Sequence, residues 1–173
     1  RSGATCTSPA LVAATVNTTT GEYAIAPYPP GDYCLVLDTN STLSDVTPGN
    51  AANWLNTEVA NGNKAITITG ANLIVQNFGL FNGSRLSGRV FNDNGIVAGV
   101  PNNGVQDGGE AGLASVAVRA NNAGCPSTLC DTTLTDALGN YTLWIPAAAS
   151  GSVVVAQTNL GGYVSSGGSR GTT

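Results

Sequence analysis

The chain reads as an all-β protein, and three observations lead there. Charged residues make up 9% of it, against a usual share of about 25%, so the long charged side chains that decorate helix surfaces are scarce. Apolar residues supply 42% and fall in short runs rich in Val, Ile and Thr, which suit a pleated surface. Between the runs stand turn-forming steps such as Asn61-Gly62, Asn82-Gly83, Asn103-Gly104 and Asp107-Gly108. Short strands punctuated at this density point to β-sandwiches.

Taken in order, the first part of the chain, residues 1–83, offers strands at Leu11–Asn17, Glu22–Ala26, Gly31–Leu37, Lys64–Thr69 and Ala71–Phe81. Pro27-Tyr28-Pro29-Pro30-Gly31 is a turn, because Pro cannot donate to a ladder. Ala51 to Ala60 is too short for a stable helix and reads as a loop or a single turn behind Asn50. The second part, residues 87–160, offers Leu86–Phe91, Ser115–Ala120, Asp131–Thr135, Asn140–Ile145 and Ser152–Gln157. In Asn140–Ile145, alternation puts Tyr141, Leu143 and Ile145 on one face and Trp144 on the other. Residues 161–173 are rich in Gly and Ser and read as a mobile tail or linker.

One loop carries most of the chemistry. Residues 91–110, FNDNGIVAGVPNNGVQDGGE, gather Asp93, Asn94, Asn102, Asn103, Asp107 and Glu110 among glycines. Hard oxygen donors, tight turns and a closing D-x-x-E are what a calcium ion needs. The loop lies between two strand-like runs, so it reads as a metal-stiffened crossover of a β-domain.

Four cysteines are present. Cys125 and Cys130 flank a turn-like GCPSTLC, and no His stands in the chain to complete a zinc site with them. A local disulfide is the simpler reading, a pair of buried thiols the other. Cys6 and Cys34 either cross-link the first domain or leave one Cys free and the other paired outside this segment. Disulfides point to an oxidising compartment.

The chain also repeats itself. Gly21-Glu22-Tyr23-Ala24-Ile25 matches Gly139-Asn140-Tyr141-Thr142-Leu143. Cys34-Leu35-Val36-Leu37-Asp38-Thr39-Asn40 matches Val153-Val154-Val155-Ala156-Gln157-Thr158-Asn159 after a one-residue slip. Tandem domains follow, the first lacking its N-terminal strands and the second its C-terminal strands. Either the segment belongs to a longer repetitive chain, or neighbouring copies complete each sandwich by strand addition.

Four motifs in order then resemble the SdrD B-like domain, a member of the wider Cna-B and transthyretin-like group. They are Ser87-Gly88-Arg89-Val90-Phe91-Asn92-Asp93, the run Asn103 to Leu113, Val116-Ala117-Val118, and Thr135-Asp136-Ala137-Leu138-Gly139-Asn140-Tyr141. The resemblance covers about Ser87 to Asn159, and residues 21–83 look like the back half of a preceding copy. It implies tandem Ig-like β-sandwiches in a bacterial surface protein, stiffened by calcium. By resemblance Asp93, Asp107 and Glu110 are metal ligands. Asn94 and Asn102 stand where other members often carry Asp, and Asp136 approaches the same site. The insertion Gly95 to Pro101 departs from the family pattern and, with fewer carboxylates, implies binding of roughly millimolar affinity.

Charge and composition narrow the partners. A net charge of −4 with six Lys and Arg in all builds no basic face for nucleic acid. No apolar run is long enough to span a membrane. With no His to act as a base, the chain is not expected to be an enzyme. The expected function is a structural module of a secreted or cell-surface bacterial protein or fibre. Its cofactor would be Ca2+, and its partners copies of itself or neighbouring repeats. The alternative is an adhesin module that binds a host protein or glycan, with Trp54, Trp144, Tyr28 and Tyr33 as candidate contact residues.

Overall fold

The computed structural model describes residues 5–58, 62–71, 73 and 75–168. The protein is all-β, with antiparallel sheets and no α-helix among the described residues. Its chain divides into two units, Arg1–Asn82 and Gly83–Thr173. No helix among the described residues is long and apolar enough to cross a membrane.

In the first unit, β1 (Gly31–Val36) pairs antiparallel with β3 (Asn63–Ile68), and the ladder runs from Gly31 opposite Ile68 to Val36 opposite Asn63. Tyr33 and Leu35 share a face with Ile66 and Lys64, and these side chains are half-buried. The other face carries exposed Asp32 and Thr67, joined by a 2.6 Å hydrogen bond from the Thr67 hydroxyl. Lys64 lies 5.1 Å from the Phe78 ring centre and 3.5 Å from the Glu58 carboxylate. It also donates to the Asn77 carbonyl. The Cys6–Cys34 disulfide spans this unit, with its Cα atoms 5.5 Å apart.

A third strand, β2 (Trp54–Asn56), pairs with the first residues of β4 (Leu80–Arg89). This corrects the expectation of a loop or a single turn. Three residues are too few to show alternation, and pairing with Leu80–Asn82 alone makes them a strand. Two predicted strands are absent: neither Leu11–Asn17 nor Glu22–Ala26 joins a ladder. The chain turns tightly between them, with Gly21 N–H donating to the Asn17 carbonyl at 2.7 Å and the Asn17 side chain accepting from Thr19 and Thr20. Both flanks have strand composition, but among the described residues no strand pairs with them. Of the predicted strand Ala71–Phe81, residues 72 and 74 lie outside the described residues, and only Leu80 and Phe81 are strand. Strand β4 also takes in residues 82–85, which lay between the predicted strands Ala71–Phe81 and Leu86–Phe91, and it ends at Arg89.

The second unit holds the core. The rest of β4 pairs with β7 (Asn140–Pro146) in seven registered pairs, from Gly83 opposite Pro146 to Arg89 opposite Asn140. The other sheet has the order β6 (Leu129–Leu134), β5 (Ala117–Asn121), β8 (Val154–Gln157). Alternation holds on β7: Leu143 and Ile145 turn inward with Tyr141, and meet Val118 and Ala120 of β5. Leu86, Val90, Ala149 and Val153 pack around them. Burying such side chains contributes roughly 1.5–3 kcal/mol each. Every buried apolar residue among those described belongs to this unit. Gly88 stands opposite Tyr141, and a Cβ there would fall 2.4 Å from the Tyr141 hydroxyl, so the phenol ring lies over a bare backbone. Cys125 and Cys130 are bonded across the short 3-10 turn Pro126–Thr128 that leads into β6.

Candidate functional site

Loop 91–110 leaves the end of β4 and is pinned at its base. Phe91 bridges Gly112, Leu113 N–H donates to the Val90 carbonyl at 2.8 Å, and Val90 N–H donates to Gly139 at 2.9 Å. The closure is tight. Gly139 has φ +84°, and a Cβ there would lie 2.2 Å from the Val90 carbonyl oxygen. The G-N-Y step of the last motif is therefore a steric condition for closing the loop.

Inside the loop the carboxylates face backbone N–H groups. Asp93 accepts from Gly104 N–H at 2.8 Å and Asn103 N–H at 3.3 Å, while its carbonyl accepts from Asn102 N–H. Asp107 accepts Val100 N–H at 2.9 Å on one oxygen and the Asn103 amide at 3.0 Å on the other. Glu110 is 5% exposed and accepts Gly95 N–H at 2.9 Å and Asp107 N–H at 3.2 Å. A buried carboxylate needs such donors. Asn103 links Asp93 to Asp107, and the Asp107 amide links on to Glu110. The three carboxylates thus form one hydrogen-bonded chain across the loop.

The remaining predicted ligands do other work. The Asn94 side chain accepts Ile96 N–H at 3.3 Å and closes its own turn. Asn102 sits in the left-handed region at φ 59° and reverses the chain. Asp136 accepts Leu138 N–H, Asn140 N–H and the Asn140 amide at 2.8, 2.8 and 3.2 Å. It shapes the turn into β7, and the hydrogen bonds of its carboxylate go to that turn instead of loop 91–110. Among the described residues no group of three or more Cys, Asp or Glu side chains is arranged to hold a metal ion. The loop does supply hard oxygen donors of the calcium type, in an arrangement where they hold the backbone.

Two carboxyls in this unit titrate below their ordinary value. The Ser166 hydroxyl holds Asp93 low, helped by the N–H groups of Gly104, Asn103 and Asn102 against a desolvation that raises it. Asp136 is held low chiefly by Asn140 N–H, then by the Asn140 side chain, Leu138 N–H and the charge of Arg89, again against desolvation. Ser166 was not among the predicted site residues. It lies far along the chain in the Gly/Ser-rich segment, and no local pattern marks it. That segment also bonds to β8, through Gln157 to Ser165 at 3.2 Å.

A second polar loop escaped the sequence reading as well. Asn40 donates to Asp38 at 2.8 Å and to Asp45 at 3.4 Å, and Asp45 accepts Thr47 N–H at 2.9 Å. Its D-x-N spacing is the signal that was available. Of the candidate contact aromatics, Tyr28 and Tyr33 pack together with ring centres 5.9 Å apart, and Trp54 is exposed.

No family model matches the chain, and neither does any curated protein or solved structure.

Proposed function

We propose that this chain is a structural repeat module of a secreted bacterial surface protein or extracellular fibre, built of tandem Ig-like β-sandwiches of the SdrD B-like kind. One observation carries the reading: a glycine-rich loop pinned at its base and threaded by three linked carboxylates. Such a loop resists deformation, which suits a spacer more than a lid. The paired cysteines support an oxidising, extracellular setting. The sparse charge and the small Ala, Thr, Asn and Gly side chains support close packing of copies.

In this reading calcium tightens the loop. Asp93, Asp107 and Glu110 supply its charge, and Asn94 and Asn102 add oxygens. Copies or neighbouring repeats then join head to tail by strand complementation. Electron microscopy of the purified chain, with calcium and with a chelator, tests this. Regular filaments that loosen on chelation are expected. Monodisperse particles indifferent to the chelator would overturn both the assembly and the metal.

The Tyr28–Tyr33 pair and exposed Trp54 favour a second reading, an adhesin module. Binding of glycans by a monomer, lost on Trp54→Ala, would select it.

A further inference from the structure

The loop after β1 gathers its polar side chains around one amide. Asp38-Thr39-Asn40-Ser41-Thr42 leads away from the strand, and every residue from Thr39 to Asp45 is exposed. The base is pinned by Gly49 N–H, which donates to the Leu37 carbonyl at 3.1 Å. The far limb is held by residues 8–10: Ala10 N–H donates to the Leu43 carbonyl at 2.6 Å and the Ser8 hydroxyl to the Ser44 carbonyl at 2.8 Å. Asn40 stands at the tip. Its side-chain oxygen accepts Thr42 N–H at 2.7 Å and closes a tight turn. Its amide nitrogen donates to Asp38 at 2.8 Å and to Asp45 at 3.4 Å. Thr39 N–H fixes the Asp38 carboxylate at 2.6 Å, and Thr47 N–H fixes that of Asp45 at 2.9 Å. The two carboxylates thus meet on a neutral amide.

Asn40-Ser41-Thr42 is also an Asn-x-Ser/Thr triplet, the acceptor pattern for N-linked sugar. The chain has three others, at Asn17, Asn82 and Asn140, and the fold sorts the four. Asn82 lies in β4 opposite Trp54. Asn140 opens β7 opposite Arg89, and the Thr142 hydroxyl of its triplet lies 3.2 Å from that of Ser87. A residue held in a ladder does not turn its amide out into an enzyme's site. Asn17 and Asn40 both stand in exposed turns, each with its side-chain oxygen bonded to the N–H two residues on. Asn40 alone of the four has a carboxylate two residues ahead. Asn17 has Thr15 there, Asn82 has Leu80 and Asn140 has Leu138.

That carboxylate matters chemically. An amide nitrogen is a weak nucleophile, because its lone pair is shared with the carbonyl. Carboxylates that accept its hydrogens return electron density to it, and a fixed charge beside it gives a basic enzyme groove a handle. We propose that Asn40 is the acceptor for an N-linked glycan, transferred by an oligosaccharyltransferase from a lipid-diphosphate-linked oligosaccharide. The Asn40 nitrogen attacks C1 of the first sugar, and a C1–N bond forms. The C1–O bond to the diphosphate breaks, the lipid diphosphate leaves with the electron pair, and the nitrogen gives up one proton. This rests on the extracellular setting of the proposed module and not on its assembly.

The test uses the purified, folded chain with a bacterial-type oligosaccharyltransferase and a synthetic lipid-diphosphate oligosaccharide. After reduction, cleavage at Glu22 and Glu58 isolates residues 23–58, which hold Asn40 and no other acceptor triplet. Mass spectrometry is expected to find one oligosaccharide on this peptide, absent in Asn40→Gln and in Thr42→Ala and unchanged in Asn17→Gln. The initial rate is expected to fall about tenfold or more in Asp38→Asn, the loss of one charge-assisted contact. An unmodified 23–58 peptide, or an oligosaccharide on Asn17, Asn82 or Asn140 in its place, overturns the inference and leaves the calcium-stiffened module standing. A rate unchanged in Asp38→Asn overturns the part given to that carboxylate. If a variant fails to fold, the site mapped on the wild type decides alone.

Discussion

Glu110 is the most informative single residue, because it is a carboxylate that the fold buries and gives two backbone donors. Glu110→Ala strands the N–H groups of Gly95 and Asp107 and is expected to cost about 2 kcal/mol, measured by urea unfolding of the whole chain. Gly139→Ala combines a positive φ with a clash against the Val90 carbonyl, so a loss of about 2 kcal/mol or more is expected in the same assay. Asp93, Asp136 and Asp45 contribute to the acid limit. All three have folded values below the unfolded one. Their contribution is present above the unfolded carboxyl value of about 3.9 and is lost as pH falls through the folded values. Asp136→Asn should therefore shift the thermal midpoint less between pH 5 and pH 2 than wild type does, read by circular dichroism. At this scale the sequence marked Asp93, Asp107 and Glu110 through their spacing around glycines. The Asp136 carboxylate bonds to its own turn in this structure, and residue spacing does not show that, because it depends on where β7 enters.

At the scale of elements, legibility followed the presence of a partner. Strands β5, β6, β7 and β8 were readable from alternation and turn residues because their ladders lie within the chain. Leu11–Asn17 and Glu22–Ala26 have the same composition, yet no ladder forms, and Leu11 is 65% exposed. Strand β7 forms with β4 beside it, and among the described residues no strand pairs with residues 22–26. Propensity describes what a segment suits, and a strand also needs a neighbour. The disulfides compensate for this thin packing. Cys6–Cys34 closes a loop with a separation of 28 residues, worth about 3.5 kcal/mol in the chain-entropy picture, and the shorter Cys125–Cys130 about 2 kcal/mol. Cys6→Ser with Cys34→Ser should melt the β1–β3 sheet while the core of the second unit persists, seen as amide exchange lost from 31–36 and 63–68 and kept at 118–120 and 143–145. Equal loss in both units would show that the bridge does not act locally.

For the whole molecule, composition and patterning were enough for the all-β class. What they could not supply was the state of the loop. The same oxygens that suit calcium also suit backbone N–H groups, and in this structure they hold the backbone. The reading of a calcium-stiffened structural module turns on whether the loop trades those donors for an ion. The direct measurement is the thermal midpoint and amide exchange of residues 92–111 in the full chain, titrated with calcium from the micromolar range to about 10 mM. With millimolar affinity, stabilisation of about 1.4 kcal/mol is expected at the upper end, with slower exchange across the loop and both effects lost in Asp107→Asn. A midpoint and exchange profile unmoved by calcium across that range would contradict the reading, and would leave a loop held by its own hydrogen bonds.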